Sequence, residues 1–129
     1  MNKFASDPIA LAIRSALTSD LLKPQYREPD LDKSVNTPTR GHCYVASEAY
    51  YHLRGGKAAG FKAMNICHEG SSHWWVRGPG GENFDLTADQ FKSPVPYEKG
   101  RYVGFLTRQP SKRAQVVIDR VRARYPGLV

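Results

Sequence analysis

Apolar residues recur at helical spacing near both ends of the chain and once near its middle, and strand-like runs fill the space between. Ile9, Ile13, Ala16, Leu17 and Leu21 share one face, which predicts a helix over residues 8–21. Asp7-Pro8 is its entry: an N-cap acceptor, then a proline at the first helical position, where the N–H has no helical partner anyway. Residues 1–6 ahead of it are expected to be loose. Cys43, Ala46, Tyr50 and Leu53, with Ala49 beside them, form a second stripe over 43–54, and Gly55-Gly56 supplies the stop. The third stripe, Ala114, Val117, Ile118, Val121 and Tyr125, predicts a basic C-terminal helix over 111–125 with Ser111 as cap.

Runs at 61–68, 73–77, 82–86 and 102–106 are rich in aromatic and β-branched residues and predict short strands. Glu69-Gly70-Ser71-Ser72 and Gly78-Pro79-Gly80-Gly81 are the turns between the first three. Thr87 caps a single helical turn over 87–91, and Pro94 and Pro96 open another loop. Residues 22–40, with Pro24, Pro29 and Pro38, form one long loop that leads into the Cys43 helix; a connection of that length points to function or to packing over a site. Together these elements predict one α+β domain over 1–129, a cysteine-bearing helix packed on a small antiparallel sheet between two terminal helices.

Strand parity then decides which side chains meet. Side chains alternate along a strand, so His73 and Asp85 share a face only if the turn after Arg77 has odd length. Pro79 cannot adopt the positive φ that favoured two-residue hairpin turns need, which argues for the odd loop. That register sets Arg77 opposite Gly81, Trp75 opposite Asn83 and His73 opposite Asp85. Trp74 and Trp75 fall on opposite faces, one for the core and one for the wall of a groove.

Composition narrows the class without changing the fold. Hydrophobic residues make up 40% of the chain, enough for a core. No apolar run approaches a membrane span of about 20 residues, and the apolar stretch at Ile9–Ile13 is broken by Arg14, so a soluble cytoplasmic protein is expected. Two cysteines do not make a disulfide scaffold, and a Cys43–Cys67 bridge would abolish Cys43 as a nucleophile. Net charge is +7, which favours an acidic protein or nucleic acid as partner. Lys112, Arg113, Arg120 and Arg124 on the last helix are the residues that would contact phosphates.

The candidate chemistry lies in three places: Cys43 at a helix start, His73 on one strand, and Asp85 on the next. A thiol beside an imidazolium at a helix N-terminus ionises more readily than a free one. His73 would take the thiol proton and return it to a leaving group, and Asp85 would fix the ring's tautomer and orientation. Backbone N–H groups at the helix start can cradle an oxyanion, with Asn36 and Thr39 as side-chain candidates. Asn36, Thr39, His42, Trp74 and Trp75 are the expected substrate-binding residues.

This order of Cys, His and Asp resembles the papain-like superfamily in its transglutaminase-core form. The segments Pro38-Thr39-Arg40-Gly41-His42-Cys43, Ser72-His73-Trp74-Trp75 and Phe84-Asp85-Leu86-Thr87-Ala88-Asp89-Gln90-Phe91 are similar to small bacterial YunG-type proteins. The resemblance implies a papain-like fold, Cys43, His73 and Asp85 as catalytic set, and hydrolase or acyl-transferase chemistry on an amide or isopeptide bond of a peptide or protein through a covalent thioester. That chemistry requires no cofactor. Papain-type enzymes place an oxyanion glutamine shortly before the cysteine, where this chain has Asn36 and Thr37.

Other readings compete. His42-Cys43 and Cys67-His68 suggest zinc, but neither has the ligand spacing of a zinc site, so no metal is expected. A catalytically inactive papain-like protein-binding module and a basic nucleic-acid-binding protein using the C-terminal helix remain the alternatives from other classes.

Overall fold

The Asp7-Pro8 signal produces the helix entry it encodes. In the computed structural model, which describes residues 2–18, 42–105 and 108–128, helix α1 spans Pro8–Ala16 and the Asp7 carboxylate accepts from Ile9 N at 2.9 Å. The helix ends short of residue 21: Leu17 is already extended. Its last carbonyls are taken by the C-terminal helix, Ala16 O from Arg120 Nη1 at 3.0 Å and Ser15 O from Arg124 Nη1 at 2.9 Å. Leu21, the 22–40 loop, Asn36 and Thr39 lie outside the described residues.

Helix α2 spans Cys43–Leu53, with Gly55 and Gly56 at φ +97° and +63° beyond its end. Such backbone is easy for glycine and strained for other residues. Val45, Ala46, Ser47, Glu48, Ala49 and Tyr50 are all buried, so the single stripe expected from the sequence is too narrow. α2 is central, touching α1, the sheet and helix α3, Lys112–Arg124. Ser111 caps α3 by accepting from Ala114 N, as expected. The buried face of α3 is Ala114, Val117, Ile118 and Val121; Tyr125, assigned to that face from spacing, is 43% exposed because it follows the last helical residue.

The sheet has strand order β3-β2-β1-β4, with β1 at Lys62–His68, β2 at Ser71–Arg77, β3 at Asn83–Phe84 and β4 at Arg101–Tyr102, every neighbouring pair antiparallel. The β1–β2 turn is tighter than expected, because Ser71 and Ser72 already pair with His68 and Cys67. Only Glu69 and Gly70 remain in it, both at positive φ, the geometry of a two-residue hairpin turn. β4 is shorter than 102–106, with one further bond from Val103 N to Ala63 O. Residues 2–6, expected to be loose, are tied to the sheet. Asn2 forms a parallel bridge with Asn83, Lys3 N donates to Asn83 O, and Phe4–Ser6 is a 3-10 turn.

Between β2 and β3, Arg77 pairs with Asn83 and Val76 with Phe84. The intervening loop, residues 78–82, has odd length, so the expected parity holds although the pairing sits two residues from Arg77–Gly81. Val76, Phe84 and Leu86 face the helical core, and His73, Trp75 and Asp85 take the other face. That second face is covered by the chain from 88 to 100, where Phe91 meets His73 and Tyr97 meets Trp75.

A candidate Cys-His-Asp site

The first helical bond of α2 runs from Ala46 N to His42 O, so the Cys43 N–H lies ahead of the hydrogen-bonded ladder, at the positive end of the helix dipole. Cys43 is half-buried, and its Sγ lies 3.9 Å from Ser72 O, the carbonyl just before His73. Cys43 and Cys67 are both free thiols.

His73 and Asp85 are fully buried and 2.7 Å apart, Nε2 to Oδ2. An ionised carboxylate only accepts, so Nε2 carries the proton of this bond. The ring lies between Trp75, stacked at 6.0 Å, and Phe91, edge-on at 4.7 Å. With Nε2 committed to Asp85, Nδ1 is the ring's other nitrogen, and Cys43 is close enough to act on the ring. Burial works against a charged ring, but hydrogen bonds with Asp85 and Cys43, and their charges, outweigh it and raise His73 to about 9.

Asp85 is held from every side. Thr87 N donates to Oδ1 at 3.2 Å, and Tyr97 OH donates to Oδ2 at 3.0 Å. Its backbone is clamped by one side chain, Asn2, which donates to Asp85 O at 2.8 Å and accepts from Asp85 N at 2.9 Å. Burial and the carboxylate's charge push the Tyr97 phenol far up, so it stays a donor at any ordinary pH. Arg77 fixes the covering loop by donating to Tyr97 O at 2.9 Å.

The structure therefore brings together the three residues that the sequence singled out, and adds Asn2, Gln90 and Tyr97. Gln90 Nε2 stands 3.1 Å from His73 Nδ1 and 3.3 Å from Thr87 Oγ1. Nothing in the spacing announces these three; a polar residue in a turn reads as solvated until the fold closes over it.

The expected substrate-binding residues separate. Trp75 is wholly buried, donates to Asn83 Oδ1, and packs so tightly against Gly100 that a Cβ there would collide with the indole. His42 is 3% exposed, and its Nε2 bonds Thr18 O at 2.9 Å. Both belong to the packing behind the site rather than to a groove. Trp74 is half-buried beside the Cys43 helix, in an aromatic cluster with Tyr44 at 5.0 Å and Phe105 at 5.6 Å. A cleft of about 600 Å³ is lined by Asn2, Arg77, Asn83 and Tyr97 among others. Its walls include none of Cys43, His73 and Asp85.

On α3, Arg120 and Arg124 are engaged with the end of α1, while Lys112 stands on the exposed surface and Arg113 is half-exposed. Among the described residues, no group of three or more His, Cys, Asp and Glu side chains is placed to hold a metal ion, and no helix is long and apolar enough to cross a membrane.

A family model described as YunG protein matches residues 11–129. No curated protein and no solved structure matches the chain.

Proposed function

The chain belongs to the YunG protein family, and on that premise we propose that it is a papain-like cysteine hydrolase or acyl transferase with Cys43 as nucleophile. The observation that carries the reading is the buried 2.7 Å His73–Asp85 bond, made through Nε2, with the Cys43 thiol at a helix start close enough to act on the same ring.

In this reading the Cys43 proton passes to His73 Nδ1, and the thiolate attacks the carbonyl carbon of an amide or isopeptide bond. The oxyanion forms near the Cys43 N–H. The amine leaves with the proton from His73, and an acyl thioester remains on Cys43. Water or a second amine, deprotonated by His73, then attacks the thioester, and the thiol regains its proton. Asp85 holds the ring with Nε2 protonated, so that Nδ1 is the nitrogen that takes and returns the proton. The substrate is a peptide or a protein side chain, and the half-exposed faces of Trp74 and Tyr44 beside Cys43 are where its acyl group would rest. Two free thiols fit a cytoplasmic setting.

The test is alkylation of Cys43 by iodoacetamide in a Cys67→Ser background, so that one thiol reports. The reading expects Cys43 to react at pH 6, and His73→Ala to lower that rate at least tenfold. A thiol that reacts only above about pH 8, as free cysteine does, with no dependence on His73, would turn the protein into an inactive binding module.

A further inference from the structure

Asp85 and Cys43 both favour a protonated His73. One neighbour does the opposite. The Gln90 amide nitrogen lies 3.1 Å from Nδ1, and its second hydrogen is directed at Thr87 Oγ1, 3.3 Å away. An amide N–H can donate to Nδ1 only while that nitrogen holds a lone pair. We infer that Gln90 is a positioning residue that donates to His73 Nδ1 and so favours the neutral ring, against the pull of Asp85 and Cys43. The inference rests on the thiol chemistry proposed above and names a part of that site which the Cys-His-Asp pattern leaves out.

The need for such a residue follows from what the ring must do twice in each cycle. It takes a proton from sulfur and then gives it to a leaving amine, and a group serves both steps best when its proton affinity is near the working pH. With Asp85 at Nε2 and Cys43 close by, the ring binds its proton tightly. A donor at Nδ1 moves the balance back. The titratable groups that act on the ring are Asp85 beyond β3, Cys43 from α2 and, through Asp85 Oδ2, Tyr97 from the covering segment. Trp75 and Phe91 present apolar surface, and His68, which is 3.7 Å from Glu69, meets Phe91 rather than the ring.

Two measurements on the full chain, both in the Cys67→Ser background, test this. In Gln90→Leu the alkylation profile of Cys43 is expected to move to lower pH, and the rate at pH 6 to rise about three- to tenfold, the range that one net hydrogen bond supports. The gain should vanish in a Gln90→Leu, His73→Ala double variant. An unchanged profile, or one moved to higher pH, overturns the inference, since the latter would mean that the amide oxygen faces an N–H. The second measurement needs no Gln90 variant: ¹⁵N–¹H spectra of the His73 ring above its titration should show Nε2 protonated and Nδ1 bare. The opposite tautomer overturns it. The two failures separate cleanly: if His73→Ala leaves the profile of the otherwise unaltered site intact, the thiol reading itself has failed and the role of Gln90 falls with it, whereas an unmoved Gln90→Leu profile with a working His73 removes Gln90 alone.

Discussion

At the scale of single residues, His73 is held on every side: fully buried, bonded at both nitrogens and flanked by two aromatic rings. Its burial opposes charge, yet hydrogen bonds with Asp85 and Cys43, and their charges, raise it to about 9, against about 6.5 for a free imidazole. The folded state thus binds this proton more tightly than the unfolded chain does. Its contribution to stability is complete below about pH 6.5 and is lost as pH rises through about 9, with a ceiling of about 3 kcal/mol. Urea midpoints should fall between pH 6 and 9.5, and the fall should flatten in a His73→Phe variant. A midpoint that holds or climbs over that range would mean that the ring is neutral in the fold. The identity of His73 was legible in the sequence because it rests on one local fact, the odd loop that puts residues 73 and 85 on one face. Its neighbours Gln90 and Tyr97 were not, because they reach the ring and its carboxylate from a segment whose path is set by the finished sheet.

Elements follow the same division. Asp7-Pro8, Ser111 and Gly55-Gly56 were readable because caps and stops act within a few residues. The end of α1 was misread because arginines more than a hundred positions away take its last carbonyls. Glu48 is the sharper case. A glutamate on a helix reads as solvent-facing, yet it is fully buried and accepts from Ser111 N at 2.9 Å and Ser111 Oγ at 2.6 Å. It joins the middle of the Cys43 helix to the cap of α3, so two helices are fixed by one carboxylate. Glu48→Ala should leave the Ser111 N–H and hydroxyl without their acceptor and lower stability by about 2–4 kcal/mol in denaturant titrations. Ser111→Ala should cost less, about 1 kcal/mol, since the carboxylate keeps the backbone N–H. Equal and small effects would show that water replaces the contact freely.

For the whole molecule, the question is what a net charge of +7 serves. The candidate site is drawn from distant parts of the chain, Asn2, the start of α2, the β2–β3 hairpin and Tyr97, so the packing of the terminal segments bears on its geometry. Lys112, Arg113, Arg120 and Arg124 were the residues expected to meet nucleic acid. Arg120 instead donates to Ala16 O and Thr18 Oγ1, and Arg124 donates to Ser15 O, so both close the end of α1, where cations are favoured by the helix dipole. His42, the residue before Cys43, bonds the carbonyl of the same Thr18, so these arginines brace the segment against which the cysteine helix begins. An Arg120→Gln, Arg124→Gln variant should therefore lose about 1–2 kcal/mol of stability, the three bonds being exposed or part-buried and discounted accordingly. Lys112→Gln, Arg113→Gln should lose almost none, although it removes the same charge. Equilibrium urea unfolding of the two double variants at one salt concentration separates the accounts: a structural brace depends on which arginines are removed, whereas a phosphate-binding face depends on how many. Equal stabilities, with a matched and salt-dependent loss of affinity for random-sequence DNA in both, would instead assign the basic face to nucleic acid.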